Sequence, residues 1–164
     1  MEKIVASLVI ISDTHNGPLP KLVASHIEKA DMMLHAGDFT GMEYYEQLIS
    51  FGKPLHGVLG NMDRGALETA LPLKKVICVE EVRIAMVHGW GGPSGLEKRV
   101  LKAFENMDWD VLVFGHSHSP LIKREGERLI LNPGSPTDKR FALHNTFITM
   151  TVHGRDVNAE IVAI

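Results

Sequence analysis

Ile4-Val5-Ala6-Ser7-Leu8-Val9-Ile10-Ile11-Ser12-Asp13-Thr14-His15 is an apolar run that stops abruptly on a carboxylate and an imidazole. A strand with one wet face alternates apolar and polar residues. Residues 4–11 are almost continuously apolar, which predicts a strand covered on both faces. The run is too short to span a membrane. It lacks the small-residue cleavage pattern of a leader peptide and leads straight into Ser-Asp-Thr-His. A cytoplasmic protein is the expectation.

The same punctuation recurs along the chain. Gly37-Asp38 follows the short run Met32 to Leu34, and Gly60-Asn61-Met62-Asp63 follows Leu55 to Leu59. His88-Gly89 closes Val82 to His88, and Gly115-His116-Ser117-His118 follows Val111 to Phe114. Ligands in open α/β sheets sit beyond the carboxyl ends of strands, so these clusters are expected to share one edge.

Between the strand-like runs lie helical patterns. Pro18 opens one, with Leu22, Val23, His26 and Ile27 at helical spacing. Gly41 to Ile49 is a second, with Met42, Tyr45 and Leu48 toward the core. Strand–helix–strand–helix–strand order predicts a parallel sheet. The second half is richer in strands: Lys75 to Val79 and Val82 to His88 flank a turn at Glu80-Glu81. Residues 94–106 read as a helix with Leu96, Val100 and Phe104 inward. Hairpins are expected at Glu125-Gly126 and Gly154-Arg155. A parallel half followed by an antiparallel half suggests two packed sheets with helices outside, in one domain spanning residues 1–164.

Composition sets bounds. At 164 residues the chain can bury a sizeable core, and 45% hydrophobic and 23% charged residues are ordinary for a globular protein. A net charge of -3 is no nucleic-acid footprint, which would be basic. The single cysteine, Cys78, excludes an internal disulfide and reads as a small buried hydrophobe within Val76-Ile77-Cys78-Val79.

Taken singly, the clusters are weak signals. Asp-x-His is common in loops, Gly-Asp and Gly-Asn-x-Asp are turn chemistry, and only Gly-His-x-His points by itself to one locus. Their shared placement is the argument. Two Asp carboxylates, an Asn carbonyl and four His nitrogens form a mixed oxygen–nitrogen set. That set suits Mn, Fe, Zn, Co or Ni better than Ca. Seven side chains exceed one tetrahedral ion and fit two ions sharing a carboxylate.

Asp-x-His, Gly-Asp, Gly-Asn-x-Asp, His-Gly and Gly-His-x-His, in this order from residue 13 to residue 118, resemble the calcineurin-like metallophosphoesterases. The small bacterial and archaeal phosphodiesterase branch is the nearest likeness, with its Asn132-Pro133-Gly134-Ser135 near the end. The resemblance implies an α/β four-layer sandwich of two mixed β-sheets flanked by helices. It implies metal-dependent hydrolysis of a phosphodiester by a hydroxide shared between two divalent ions, Mn foremost, with Ni, Zn, Fe or Co as alternatives. Asp13, His15 and His118 resemble the ligands of one ion, and Asn61, His88 and His116 those of the other. Asp38 resembles the bridging carboxylate, so Asp38 and Asn61 carry the catalytic assignment. The family's precedent and exposed sheet edges imply a homodimer or homotetramer, with no membrane partner.

One position departs from the pattern. Where most of the family has a phosphate-binding, proton-donating His, this chain has Met62, whose thioether cannot donate a proton. Two other readings therefore stand beside the phosphodiesterase: a non-catalytic metal-binding scaffold, as in the retromer subunit of this fold, and a phosphomonoesterase acting on small phosphate compounds. Candidate substrate contacts are Asn16, Met62, Arg64, Asn132 and Ser135, with Arg140 as a further phosphate donor. Asn16-Gly17-Pro18 and Asn132 to Ser135 read equally as turns. Trp90 reads either as a wall for the substrate or, with Gly91-Gly92-Pro93, as a connection into the next helix. His35 and Asp63 are expected to support the ligands from behind.

Overall fold

Strand β1 (Ala6–Ile11) divides its side chains between two cores. In the computed structural model, which describes residues 5–138, 140 and 142–164, Leu8 and Ile10 face one apolar cluster and Val9 and Ile11 the other. Successive strand side chains point to opposite faces, so a run apolar on every position must be sandwiched. The elements continue as α1 (Lys21–Lys29), β2 (Met32–His35), α2 (Met42–Ile49), β3 (Leu55–Gly57), α3 (Ala66–Ala70), β4 (Lys74–Val79) and β5 (Val82–Val87). They end with α4 (Leu96–Lys102), β6 (Val111–Val113), β7 (Leu121–Glu125), β8 (Arg128–Asn132), β9 (Thr146–His153) and β10 (Asp156–Ala163).

Two five-stranded mixed sheets result, in the orders β10-β9-β1-β2-β3 and β4-β5-β6-β8-β7. In the first, β1, β2 and β3 are parallel and the β9–β10 hairpin adds antiparallel strands. In the second, β5, β6 and β8 are parallel, with β4 and β7 antiparallel at the edges. Leu8, Ile10 and Leu34 meet Ile84, Met86 and Val113 between the sheets. Val23 and Ile27 of α1, Tyr44 and Leu48 of α2 and Leu67 of α3 cover the outer face of the first sheet. Leu96 and Val100 of α4 cover the second. Each such buried aliphatic or aromatic side chain stabilises the fold by about 1.5–3 kcal/mol. The layers are helix, sheet, sheet, helix, as the sequence implies.

Several expectations are corrected. The final hairpin does not extend an antiparallel half; β9 pairs with β1 and completes the first sheet. Cys78 is exposed. It lies on the outer face of edge strand β4, two residues beyond Val76, which still packs on the α4 cluster. In α2 Met42 and Tyr45 pack on the core cluster as expected, and Tyr44 is buried there as well. The helix expected over 94–106 is regular only from Leu96 to Lys102, and the hairpin after β7 turns one residue later, at Gly126-Glu127. No helix among the described residues is long and apolar enough to cross a membrane.

Candidate metal centre

The side chains singled out in the sequence meet at the carboxyl edge of both sheets. The first sheet places Asp13 and His15 after β1, Asp38 after β2 and Asn61 after β3. The second places His88 after β5 and His116 and His118 after β6. Among the described residues, two groupings bring ligand atoms close enough for one ion: Asp13, His15 and His118, and Asp13, Asp38 and His88. The first is the set expected for one ion. The second joins Asp38 to His88 but also draws in Asp13, where Asp38 alone was expected to be shared.

The distances describe a dense polar knot. Asp13 Oδ1 lies 3.2 Å from His118 Nε2 and 3.8 Å from the Nε2 atoms of His15 and His88. Asp38 Oδ2 lies 3.3 Å from His88 Nε2 and 3.6 Å from His15 Nε2. Asn61 Oδ1 is 2.9 Å from His88 Nε2 and 3.1 Å from His116 Nδ1. Reaching these positions takes unusual backbone: φ is +55° at Asp13, +43° at His15, +61° at Asp38, +71° at His116 and +57° at His118. Left-handed conformations cost a non-glycine residue about 1 kcal/mol or more and concentrate at functional sites.

The donor set fits cations. His88 Nδ1–H donates to Ala36 O at 2.7 Å, which leaves the Nε2 lone pair facing Asn61 and Asp38. His116 Nε2–H donates to Gly91 O at 2.7 Å, which leaves Nδ1 facing Asn61 Oδ1. In their neutral forms the two imidazoles thus turn lone pairs toward an amide oxygen, also an acceptor, an arrangement that calls for a proton or a cation between them. Asp13 Oδ1 is buried without a hydrogen-bond donor. Backbone carbonyls that fix the far ring nitrogen are how metal-binding histidines are oriented.

The site's own field points the same way. Burial opposes ionisation of Asp13, yet the imidazoles of His118, His15 and His88 override it and hold the carboxyl far below its usual range. Burial likewise opposes a charged His88, and Asp38 and Asp13 override it, lifting the ring to about 9. His15 is raised by its contact with Asp13 and by Asp38. The carboxylates thus impose positive charge on whatever faces them.

Behind the ligands stands a hydrogen-bonded frame. Asp63 accepts the backbone N–H groups of Asp38 at 3.0 Å, Thr40 at 2.7 Å and Gly60 at 2.8 Å, tying the β2 and β3 loops together. His35 Nδ1 accepts from Gly37 N–H at 3.1 Å, so its Nε2–H points to Thr14 Oγ1 at 3.0 Å. Both residues thus support the ligand loops. Asn132 and Ser135 are corrected from substrate contacts to braces, because both are buried and committed elsewhere. Asn132 Nδ2 donates to Gly115 O at 3.0 Å, and Ser135 Oγ donates to Asp13 O at 2.7 Å.

The remaining candidates are dispersed. Met62 is 54% exposed beside the site, and its backbone N–H, not its side chain, meets Asp38 Oδ1 at 2.8 Å. Asn16 is exposed. Arg64 is exposed and donates to Asp63 O, while Arg140 is engaged by Asp138 at 2.6 Å. Two neighbours escaped the sequence reading. Ser12 Oγ donates to Asp13 Oδ2 at 2.7 Å, and its position just before Asp13 was the available signal. Asp138 lies 3.7 Å from His118 Nδ1, carried there by a loop whose Ser135 Oγ accepts the Asp138 N–H, and nothing local in the sequence announces it.

Comparison with known proteins agrees with this arrangement. A probable metallophosphoesterase from Methanothermobacter thermautotrophicus is 32% identical over 158 residues, 93% of this chain and 90% of the relative. Among solved structures, Vps29 from Chaetomium thermophilum superposes with a TM-score of 0.78 at 24% identity, covering 97% of each chain. An archaeal phosphodiesterase superposes with a TM-score of 0.73 at 15% identity, covering 95% of this chain and 99% of its own. At those identities both structures speak for the fold alone. The family model for the calcineurin-like phosphoesterase superfamily domain matches residues 7–155, and the chain belongs to that family.

Proposed function

We propose that this protein is a phosphodiesterase that works with two divalent ions, manganese first among the candidates. The carrying observation is the convergence of Asp13, Asp38, Asn61, His88, His116 and His118 at one rim, with the His88 and His116 tautomers set by backbone carbonyls. Asp13, His15 and His118 would hold one ion and Asn61, His88 and His116 the other, with Asp38 serving both. Ions there would lower the pKa of a water and offset charge on the phosphoryl group.

The chain's own contribution is orientation. The Met62 N–H and the Asp63 clamp hold Asp38 in place. Hydrolysis forms a bond from water oxygen to phosphorus and breaks a bond from phosphorus to the leaving oxygen. Met62 offers that oxygen no proton, so it departs as an anion and is protonated by solvent. Phosphodiesters with acidic alcohols are therefore the favoured substrates.

The test uses protein stripped with chelator and reloaded with Mn. Cleavage of bis(p-nitrophenyl) phosphate that exceeds cleavage of p-nitrophenyl phosphate, and that chelator abolishes, is the expected result. Preference for the monoester would make the protein a phosphomonoesterase. A second reading draws on the exposed, proton-less Met62 and on the shared fold with Vps29: a metal-binding module without turnover. Stoichiometric metal with no hydrolysis of either ester would establish it.

A further inference from the structure

Beside the ligands of the second ion lies a cleft of about 560 Å³ whose walls are mostly apolar. Leu59, Leu73, Val87, Trp90 and Ala103 line it, and Asn61 and His88 close the end that faces the metal site. Leu73 is 73% exposed and Trp90 is 47% exposed, so both present apolar surface to solvent at the mouth. Lys74 is the remaining charged side chain there, and its ammonium is drawn aside onto Ala103 O at 2.8 Å and over the Phe104 ring.

We infer that this cleft binds a flat aromatic substituent of the phosphodiester, an aryl or nucleobase group, against Trp90 and Leu73. The inference rests on the phosphodiesterase reading and names its substrate class. Continuity is the first argument: two proposed metal ligands are also cleft walls, so a phosphoryl group held by the ions has its ester arm directed along the cleft. Size is the second, since 560 Å³ is within the range of small-molecule sites and exceeds what a methyl or ethyl ester would fill. Chemistry is the third. An indole face binds aromatic rings by stacking without regard to their hydrogen-bonding edges. Apart from Lys74, Asn61 and His88, the cleft's side chains cannot read a base edge, so discrimination is by shape and not by base identity.

The experiment compares two non-hydrolysable ligands, diphenylphosphinate and dimethylphosphinate, in which both phosphorus substituents are held by P–C bonds, by calorimetric titration of Mn-loaded protein. It adds kcat/KM for phenyl p-nitrophenyl phosphate and methyl p-nitrophenyl phosphate. Wild type should favour the aryl member of each pair by roughly tenfold or more, and Trp90→Ala should erase most of that preference while metal content stays unchanged. Leu73→Ala, at an exposed position, gives an independent second variant. Equal binding of both ligands by wild type, or an aryl preference unaffected by both substitutions, overturns the inference. If the substitutions instead change the sedimentation coefficient and leave ligand preference intact, the cleft is a contact between copies of the chain and the inference also fails. Aryl-selective binding without turnover would leave the cleft assignment standing and remove the phosphodiesterase reading, so the two fail separately.

Discussion

Met62 and His35 show how one side chain can set the chemistry or the pH limits of the molecule. Restoring the proton donor with Met62→His should raise kcat by tenfold or more on a diester with a poor leaving group, such as an alkyl phenyl phosphate. With p-nitrophenolate, which leaves without help, the change should be small. A uniform effect on both esters, measured in the same metal-loaded preparation, would mean that the new imidazole does something other than protonate. His35 acts through solvation. Burial depresses its pKa to about 3, whereas in the unfolded chain it titrates near 6.5. The unfolded state therefore takes up a proton first as pH falls. Stability from this group is complete above pH 6.5 and is lost progressively toward pH 3, at up to about 1.4 kcal/mol per pH unit. Urea unfolding in chelator, from pH 8 to pH 4, should show a shallower acid loss for His35→Gln than for wild type. Identical slopes would assign the acid sensitivity to other groups.

Loops that end the strands are constrained by their glycines as much as by their ligands. A Cβ at Gly37 would stand 2.7 Å from His88 Nδ1, and φ there is +101°. One at Gly115 would stand 2.6 Å from Asp13 Oδ2. Gly37→Ala should therefore cost about 1–3 kcal/mol and push His88 off its Ala36 carbonyl, lowering metal content. Gly92→Ala, where a Cβ meets nothing within 4 Å, is the control and should melt and bind metal like wild type. Metal analysis and thermal melts on the pair decide this. The Gly-Asp and Gly-His motifs were legible because these close approaches leave no room for a side chain. Element boundaries were less legible. Helix α3 has only five residues, too few for a periodic pattern, and its single fully buried side chain is Leu67. Phe104 keeps helical spacing with Val100 and is buried, yet the chain has left the helix by then, since spacing reports which face is covered and not the backbone hydrogen bonds.

At the scale of the molecule, the proposed ligand side chains and the nearby supports His35 and Asp63 were legible, and the supports contributed from far along the chain were not. Asp13, Asp38 and His88 stand next to the strands that carry them, so a local pattern reveals them. Asn132 meets Gly115 and Ser135 meets Asp13 across more than a hundred residues in the second case, and β9 returns to β1 from the far end of the chain. No local pattern encodes such pairings. The same geometry has an energetic consequence. Asp13, Asp38 and Asn61 hang from the first sheet, and His88, His116 and His118 from the second, so ions held as proposed would tie the sheets together at their carboxyl edge. Free metal at about 100 times its dissociation constant should stabilise the fold by about 2.7 kcal/mol. For a chain of this length each kcal/mol is worth about 2–4 °C, so chelator should lower the melting temperature by roughly 5–10 °C. His88→Ala should reduce the difference between loaded and stripped protein, leaving the share of the ion held by Asp13, His15 and His118. Amide hydrogen exchange distinguishes a tie between sheets from stiffening of one. Loading should slow exchange together in β1 and β2 and in β5 and β6, because opening either sheet edge then requires releasing the ions. Slowing confined to a single sheet would show that the ions are held by that sheet alone, and that the imidazoles across the gap are not ligands.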